Sequence, residues 1–309
     1  MTASLTRAHA AGVAYLVASQ RADGAWHDYH AMPIGAATEW VTGFVTAALT
    51  ETARELARDA IDRGVAALLA ARRRGSSWGF NASVAADADS TAWAIHALRG
   101  AGALVPREAL AFVLGLQRRD GGFATYARDD AWGESHPDVT PVVALALVAE
   151  APELAYRALA FAFAHADPDG TWPAYWWRGR HYSSYWNRRL LAAYGHDCAT
   201  RQKVPLERSR WIVSAFDLAW VLALAVLDAD PACVLEALAE QLVAQQQSDG
   251  RWPGSDDLRI TAPICSHSWV EPLGAYATDD CGLVTTASAV RALGLSIAAI
   301  TATSRPQPS

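Results

Sequence analysis

Two kinds of helix alternate along this chain when its apolar and polar positions are read in order. One kind is apolar on nearly every side and opens with an acid. It reads EWVTGFVTAAL from Glu39, DSTAWAIHAL from Asp89, DVTPVVALAL from Asp138, DLAWVLALAVL from Asp217 and DDCGLVTTASAVRAL from Asp279. So few polar positions leave no face for solvent, which predicts helices buried all round. The other kind, such as ARDAIDRGVAALLAARRR, keeps its charges to one face and predicts a half-exposed helix. Alternation of the two implies an outer ring packed around an inner one, an all-α fold built as a single α/α toroid of paired helices. An open solenoid would instead show solvent faces on both helices of each pair and polar caps at its ends.

The helices of the second kind end in a repeated turn. It reads LVASQRADGAW at 16–26, LGLQRRDGGF at 114–123 and LVAQQQSDGRW at 242–252, with looser copies RRRGSSWGF at 72–80 and HADPDGTW at 165–172. The aromatics Trp26, Trp78, Phe123 and Trp172 are 52, 45 and 49 residues apart, and Trp252 follows after 80 more, so an extra helix or insertion sits before it. Such a period is the mark of a helical repeat. The glycine of each turn suits a left-handed helix end, the glutamine can bond orphan backbone groups, and the aromatic can lock neighbouring turns together. The repeats run through the chain, so residues 1–300 are expected to form one domain and 301–309 a disordered tail.

Composition changes this picture little. The chain has 309 residues, 52% hydrophobic and 19% charged, with 13 tryptophans, of which the turns account for only part. Net charge of −6 leaves no basic footprint for nucleic acid. The most apolar segment, at 211–227, is broken by Asp217 and shorter than the ~20 residues a membrane span needs. Cys198, Cys233, Cys265 and Cys281 form no CxxC pair, and the opening residues lack the build of a secretion signal. A cytoplasmic protein without a transmembrane segment is the expectation.

The turn, Gln-x3-Gly-x-Trp at the end of an outer helix, resembles the QW repeat of squalene–hopene cyclase and its relatives. That superfamily also contains protein prenyltransferase β subunits. DADSTAW, residues 87–93, resembles the Asp-x-Asp-Asp-Thr-Ala motif of class II terpene cyclases, and the likeness extends over roughly 12–300. It implies an α/α toroid and a reaction begun by protonating an alkene or epoxide. Carried over, Asp89 is the acid, Asp87 its partner, and Thr91-Ala92 the end of the motif. The chain departs from the pattern in having Ser90 at the motif's last aspartate, and one toroid where full cyclases have two.

An acid that protonates an alkene must be neutral yet strong. Two neighbouring carboxylates resist double ionisation and can hold one proton between them, whereas a helix N-terminus favours the charged form. Ser90 lowers the local negative charge and suits helix capping. His96, seven positions after Asp89, and His136, just before Asp138, are candidate partners for the acid, with a satisfied core histidine as the alternative. A carbocation is steadied by aromatic faces at roughly 0.5–2 kcal/mol per contact. Trp40, Phe44, Trp93, Tyr182, Tyr185, Trp186 and Trp220 are candidates for lining the substrate cavity, with Glu39 and Asp138 at its mouth. Arg178, Arg180, Arg188 and the adjoining Arg189 lie in WWRGRHYSSYWNRR, where they suit either a diphosphate head group or a solvated outer face.

The leading expectation is therefore a class II terpene cyclase acting on a linear isoprenoid. It needs no redox cofactor, and takes Mg2+ only if the substrate carries a diphosphate. A partner protein or a homodimer could complete the cavity. The second is a zinc-dependent prenyltransferase β-like subunit, with Cys265, His267, Asp279 and Cys281 as candidate ligands. The third is a toroid that binds isoprenoids without catalysis.

Overall fold

The computed structural model describes residues 2–31, 34–73, 75, 77–196, 214–271 and 273–303. In chain order these form α1 (Thr2–Ala18), β1 (Asp28–Ala31), β2 (Gly35–Ala37), α2 (Glu39–Thr52), α3 (Arg58–Ala71), α4 (Ala88–Ala101) and α5 (Arg107–Leu114). Then come α6 (Val139–Leu147), α7 (Pro152–Ala164), α8 (His181–Ala193), α9 (Ala215–Leu227), α10 (Ala232–Val243), β3 (Leu258–Thr261), β4 (Gly274–Ala277) and α11 (Leu283–Thr303).

Among the described residues, six helices make a closed inner ring. α2 packs on α4, α4 on α6, α6 on α8, α8 on α9, α9 on α11, and α11 returns to α2. Around them, α1 packs on α11 and α10, α3 on α2 and α4, α5 on α4, α7 on α6 and α8, and α10 on α9 and α11. The two kinds of sequence pattern sort accordingly. Every residue of α2 from Glu39 to Thr50 is buried, whereas α3 buries only Ala60, Ile61, Gly64 and Leu68. Close approach of α2 to α4 depends on Gly43: a Cβ there would stand 3.0 Å from the backbone of Trp93 and Ala94.

Each repeated turn is a three-way joint. The Gln20 side chain donates to Gly24 O of its own turn and to Ala60 O of α3, both at 2.8 Å. Gln117 does the same to Gly121 O and to Leu154 O of α7, and Gln246 to Gly250 O and, at 2.9 Å, to Ala8 O of α1. The last of these shuts the outer ring. The turn glycines have φ near +90°, and a Cβ on Gly121 would stand 2.3 Å from Arg157 O. The aromatic then points inward. Trp26, Trp78, Trp172 and Trp252 each donate the indole N–H to the carbonyl ten residues earlier in the preceding outer helix. Their backbone N–H groups, with that of Phe123, donate to Thr42, Thr91, Ser184, Thr286 and Thr140 of the next inner helix. Turn, outer helix and inner helix are thereby fixed together.

Three expectations are corrected. The fold is not purely helical: β1 and β2 pair antiparallel, and β3 and β4 pair from Leu258 opposite Ala277 to Thr261 opposite Gly274. These hairpins were too short to leave a periodic signal. Secondly, α8 is an inner helix, buried from His181 to Arg188, with no solvated arginine face over that stretch. Thirdly, α11 runs helical to Thr303, into the stretch expected to be loose; residues 304–309 and Cys198 lie outside the described residues. Among the described residues, α11 is long and apolar enough to cross a membrane, and 72% of its most apolar window is buried within the protein as ring wall.

Candidate active site

The inner helices all present their N-terminal ends to one mouth of the ring, and buried acids gather there. Asp87 has extended backbone and caps α4, accepting from the Ser90 backbone N–H and the Ser90 hydroxyl, both at 2.7 Å. Two residues on, in the first turn, Asp89 Oδ2 accepts from the indole N–H of Trp40 on α2 at 2.9 Å. Asp138, flanking α6, accepts from the Trp176 backbone N–H at 2.7 Å. Its other oxygen has no protein partner, and the Trp93 indole N–H faces the Asp89 carboxyl and the Tyr182 hydroxyl.

Asp87, Asp89 and Asp138 line a cavity of about 190 Å³ walled by Trp40, Phe80, Tyr126, Trp132, Trp176, Trp177 and Tyr182. Asp87 and Asp138 are buried, while Asp89 retains accessible surface and turns it into the cavity. Burial pushes the Asp89 carboxyl well above the usual carboxylate range, and the neighbouring Asp87 and Asp138 raise it further; the Trp40 N–H draws it partly back. Burial likewise lifts Asp87 to about 7, against the pull of the two Ser90 hydrogen bonds, and Asp138 to about 6. Carboxyls set so close titrate as a group and keep a proton at neutral pH. The proton is held where charge is least tolerated, beside faces that suit a cation.

Several residues read from the sequence as site members lie elsewhere. His136 is spoken for: Thr125 binds its Nδ1 at 2.7 Å, Nε2 binds Ala131 O at 2.9 Å, and its ring stacks on Tyr175. Burial holds it neutral, down to about 3. His96 shares a helix with Asp89 but contacts Val142 O and lines a different pocket at the far mouth. Glu39 holds the loop before α4, accepting from Gly79 N–H at 2.7 Å and facing Arg73. Phe44, Trp93, Trp186 and Trp220 close around Arg291 and do not wall the cavity. Tyr185 sits under Arg189.

The arginine cluster is dispersed. Arg178 pairs with Asp256 and lies over Tyr276, Arg180 pairs with Asp167, Arg188 with Asp228 and Arg189 with Glu51. None of these four reaches the cavity, so they form no clamp for a diphosphate there. The candidate zinc ligands do not converge either. Cys265 donates its thiol to Glu271 O, and Asp279 accepts from the Val284 and Thr285 N–H groups at the start of α11, beside Asp28. Among the described residues, no group of three or more His, Cys, Asp or Glu side chains is placed to hold a metal ion. Residues that sequence reasoning did not single out are Phe80, Tyr126, Trp132, Trp176, Trp177 and Arg259.

Fold and site together define a class: a helical ring with a carboxylic acid at one mouth, facing an aromatic chamber. No family model and no curated protein matches the sequence. Solved structures do match. A variant of type II terpene cyclase MstE from Scytonema, in complex with its substrate geranylgeranyl dihydroxybenzoate, superposes with a TM-score of 0.87 at 23% identity, covering 96% of this chain and 99% of that one. Another variant, in complex with the product merosterolic acid A, gives 0.87 and 23% over 96% and 98%. ent-Copalyl diphosphate synthase from Streptomyces platensis gives 0.56 at 16%, over 84% of this chain and 50% of its own. The fold is the helical ring of terpene cyclases.

Proposed function

We propose that this chain is a class II terpene cyclase, in which Asp89 protonates the terminal alkene of a prenylated substrate and so starts carbocationic ring closure. The observation that carries the proposal is the Asp89 carboxyl itself, kept protonated by burial between Asp87 and Asp138 while facing a cavity of aromatic rings.

In the first step the Asp89 O–H bond breaks, the proton adds to the less substituted alkene carbon, and a tertiary cation forms. Asp89 becomes a carboxylate, steadied by the Trp40 N–H. A charge-assisted hydrogen bond of this kind makes the acid stronger without supplying a base to the substrate. The next alkene attacks the cation and a ring closes, over the faces of Trp40, Trp177 and Tyr182. Loss of a proton or capture of water ends the sequence. No electron leaves or enters, so the reaction calls on no redox cofactor. The MstE complexes, with a geranylgeranyl dihydroxybenzoate substrate and a cyclised product, support a prenylated aromatic acid as the first substrate to try. The free thiols of Cys233, Cys265 and Cys281 suit a cytoplasmic setting.

The test is incubation with prenylated benzoates and free or diphosphorylated isoprenoids, with products read by mass spectrometry. A cyclised isomer of unchanged mass from the native protein, and none from Asp89→Asn, is the expected result. Tight binding with no product from any of them would leave a toroid that only binds isoprenoids.

A further inference from the structure

Below the cavity, the ring's axis is occupied by a cation belonging to the protein. Arg291 of α11 is 2% exposed and its guanidinium lies 5.5 Å from the ring centre of Phe44, 5.4 Å from Trp93, 5.4 Å from Trp186 and 5.8 Å from Trp220. Its Nε donates to Glu51 Oε2 at 2.7 Å, and Nη1 has no protein partner. Glu51 also takes Arg189 at 2.8 Å, and the two arginines hold its carboxyl down at about 2, so the pair is permanently charged. Behind this layer is a second cavity of about 330 Å³, lined by residues of α2, α4, α6, α8 and α11, among them Glu51, His96 and Arg189. Trp93, Trp186 and Arg291 line it, and none of them lines the cavity of Asp89. Two hollows thus lie end to end, with one partition between them.

We infer that Arg291 is a specificity-determining residue: with its four rings it forms the floor of the reaction chamber and fixes how far a prenyl chain can extend. The inference rests on the cyclase reading. A cavity of about 190 Å³ falls below the ~300–1,000 Å³ of ordinary ligand sites, whereas the two hollows joined would fall within it. The floor is also electrostatic. A carbocation formed beside Asp89 has carboxyl groups at the mouth and a guanidinium beneath it, so positive charge stays near the mouth. Ring closure is confined to the part of the chain nearest the acid. Four of the seven rings that a sequence reading assigns to the substrate cation, Phe44, Trp93, Trp186 and Trp220, are already engaged with Arg291.

Chain-length dependence of binding tests this without turnover. Geraniol, farnesol and geranylgeraniol are titrated into native protein and Arg291→Met, with tryptophan fluorescence as the readout. An unobstructed channel gives affinity that climbs with each isoprene unit, because each buries more apolar surface. The expected native result is a plateau once the cavity is full. Arg291→Met is expected to restore the climb, binding geranylgeraniol at least ~10-fold tighter than native protein does, a gain of about 1.4 kcal/mol. Geraniol affinity should stay within a few-fold.

A native affinity that rises without a break to the longest chain overturns the inference, even if Arg291→Met fails to fold. So does a folded Arg291→Met with the native plateau, or the failure of native protein to bind any of the three. A plateau that Arg291→Met abolishes, in a protein that yields no cyclised product, would sink the cyclase reading and leave the floor standing.

Discussion

The indole N–H of Trp40 meets Oδ2 of Asp89 at 2.9 Å, joining the first turns of α2 and α4. The contact links the ring's packing to its chemistry, because the same side chain walls the cavity and steadies the anion left after proton transfer. Trp40→Phe keeps most of the ring and deletes the donor. A hydrogen bond to a charged group is worth about 1.5–3 kcal/mol, so kcat should fall roughly 10- to 100-fold. Without the donor the Asp89 carboxyl rises further, and the alkaline limb of the pH–rate profile should move to higher pH. A profile that stays in place would show that the indole acts only by packing.

Asp89→Asn should abolish cyclisation, by ~10²–10⁴-fold or more, since general acid catalysis contributes on that scale. It should not lower Tm, because it removes a carboxyl that burial disfavours in its charged form. Product assays with thermal unfolding on the same samples check both halves.

Asp138→Asn addresses stability and pH together. The folded-state pKa is lifted to about 6 from 3.8, so the folded protein holds the proton more tightly than the unfolded chain. That costs stability as pH rises from about 4 to about 6, and the loss is complete above that range. Removing the carboxyl should therefore raise stability by about 1–3 kcal/mol at pH 8 and by little at pH 4. Denaturant melts of both proteins at the two values would show it. Equal gains at both would mean that Asp138 is not held protonated by burial.

Gln246→Ala removes the side chain that ties the last turn to Ala8 of α1. Two carbonyls lose a donor, which should cost about 1–3 kcal/mol. Tm should drop by several degrees. Hydrogen exchange should quicken first in α1 and α10, the two helices the side chain holds together.

Much of this architecture is legible in the sequence because its causes are local. Helices buried all round and helices charged on one face differ in pattern, and that difference sorts α2 from α3. The relation of Asp87 to Ser90 is likewise local, since a cap and its third residue meet wherever a helix begins. Depth along a helix is another matter. His96 falls near the face of Asp89, yet seven residues of helix are about 10 Å of rise, enough to carry it to the other mouth. Trp93, four residues on, lines the second hollow, with its indole N–H turned toward the Asp89 carboxyl. The cavity's own aromatics come largely from connecting segments, as with Phe80, Tyr126, Trp132, Trp176 and Trp177. Their path is set by closure of the ring, so no periodicity marks them. Arg291 did leave a signal, a lone charge within an apolar helix, and such a charge must find partners when buried.

The joint between Gln246 and Ala8 spans 238 positions of sequence, and α11 packs on both α1 and α2. Contacts between residues so far apart cannot form until nearly all of the chain has been synthesised. Half-made copies leaving the ribosome hold inner helices whose greasy flanks still lack a neighbour, and pairing with a second nascent chain would cover them just as well. Yield in a cell should therefore respond to translation speed and to chaperone supply.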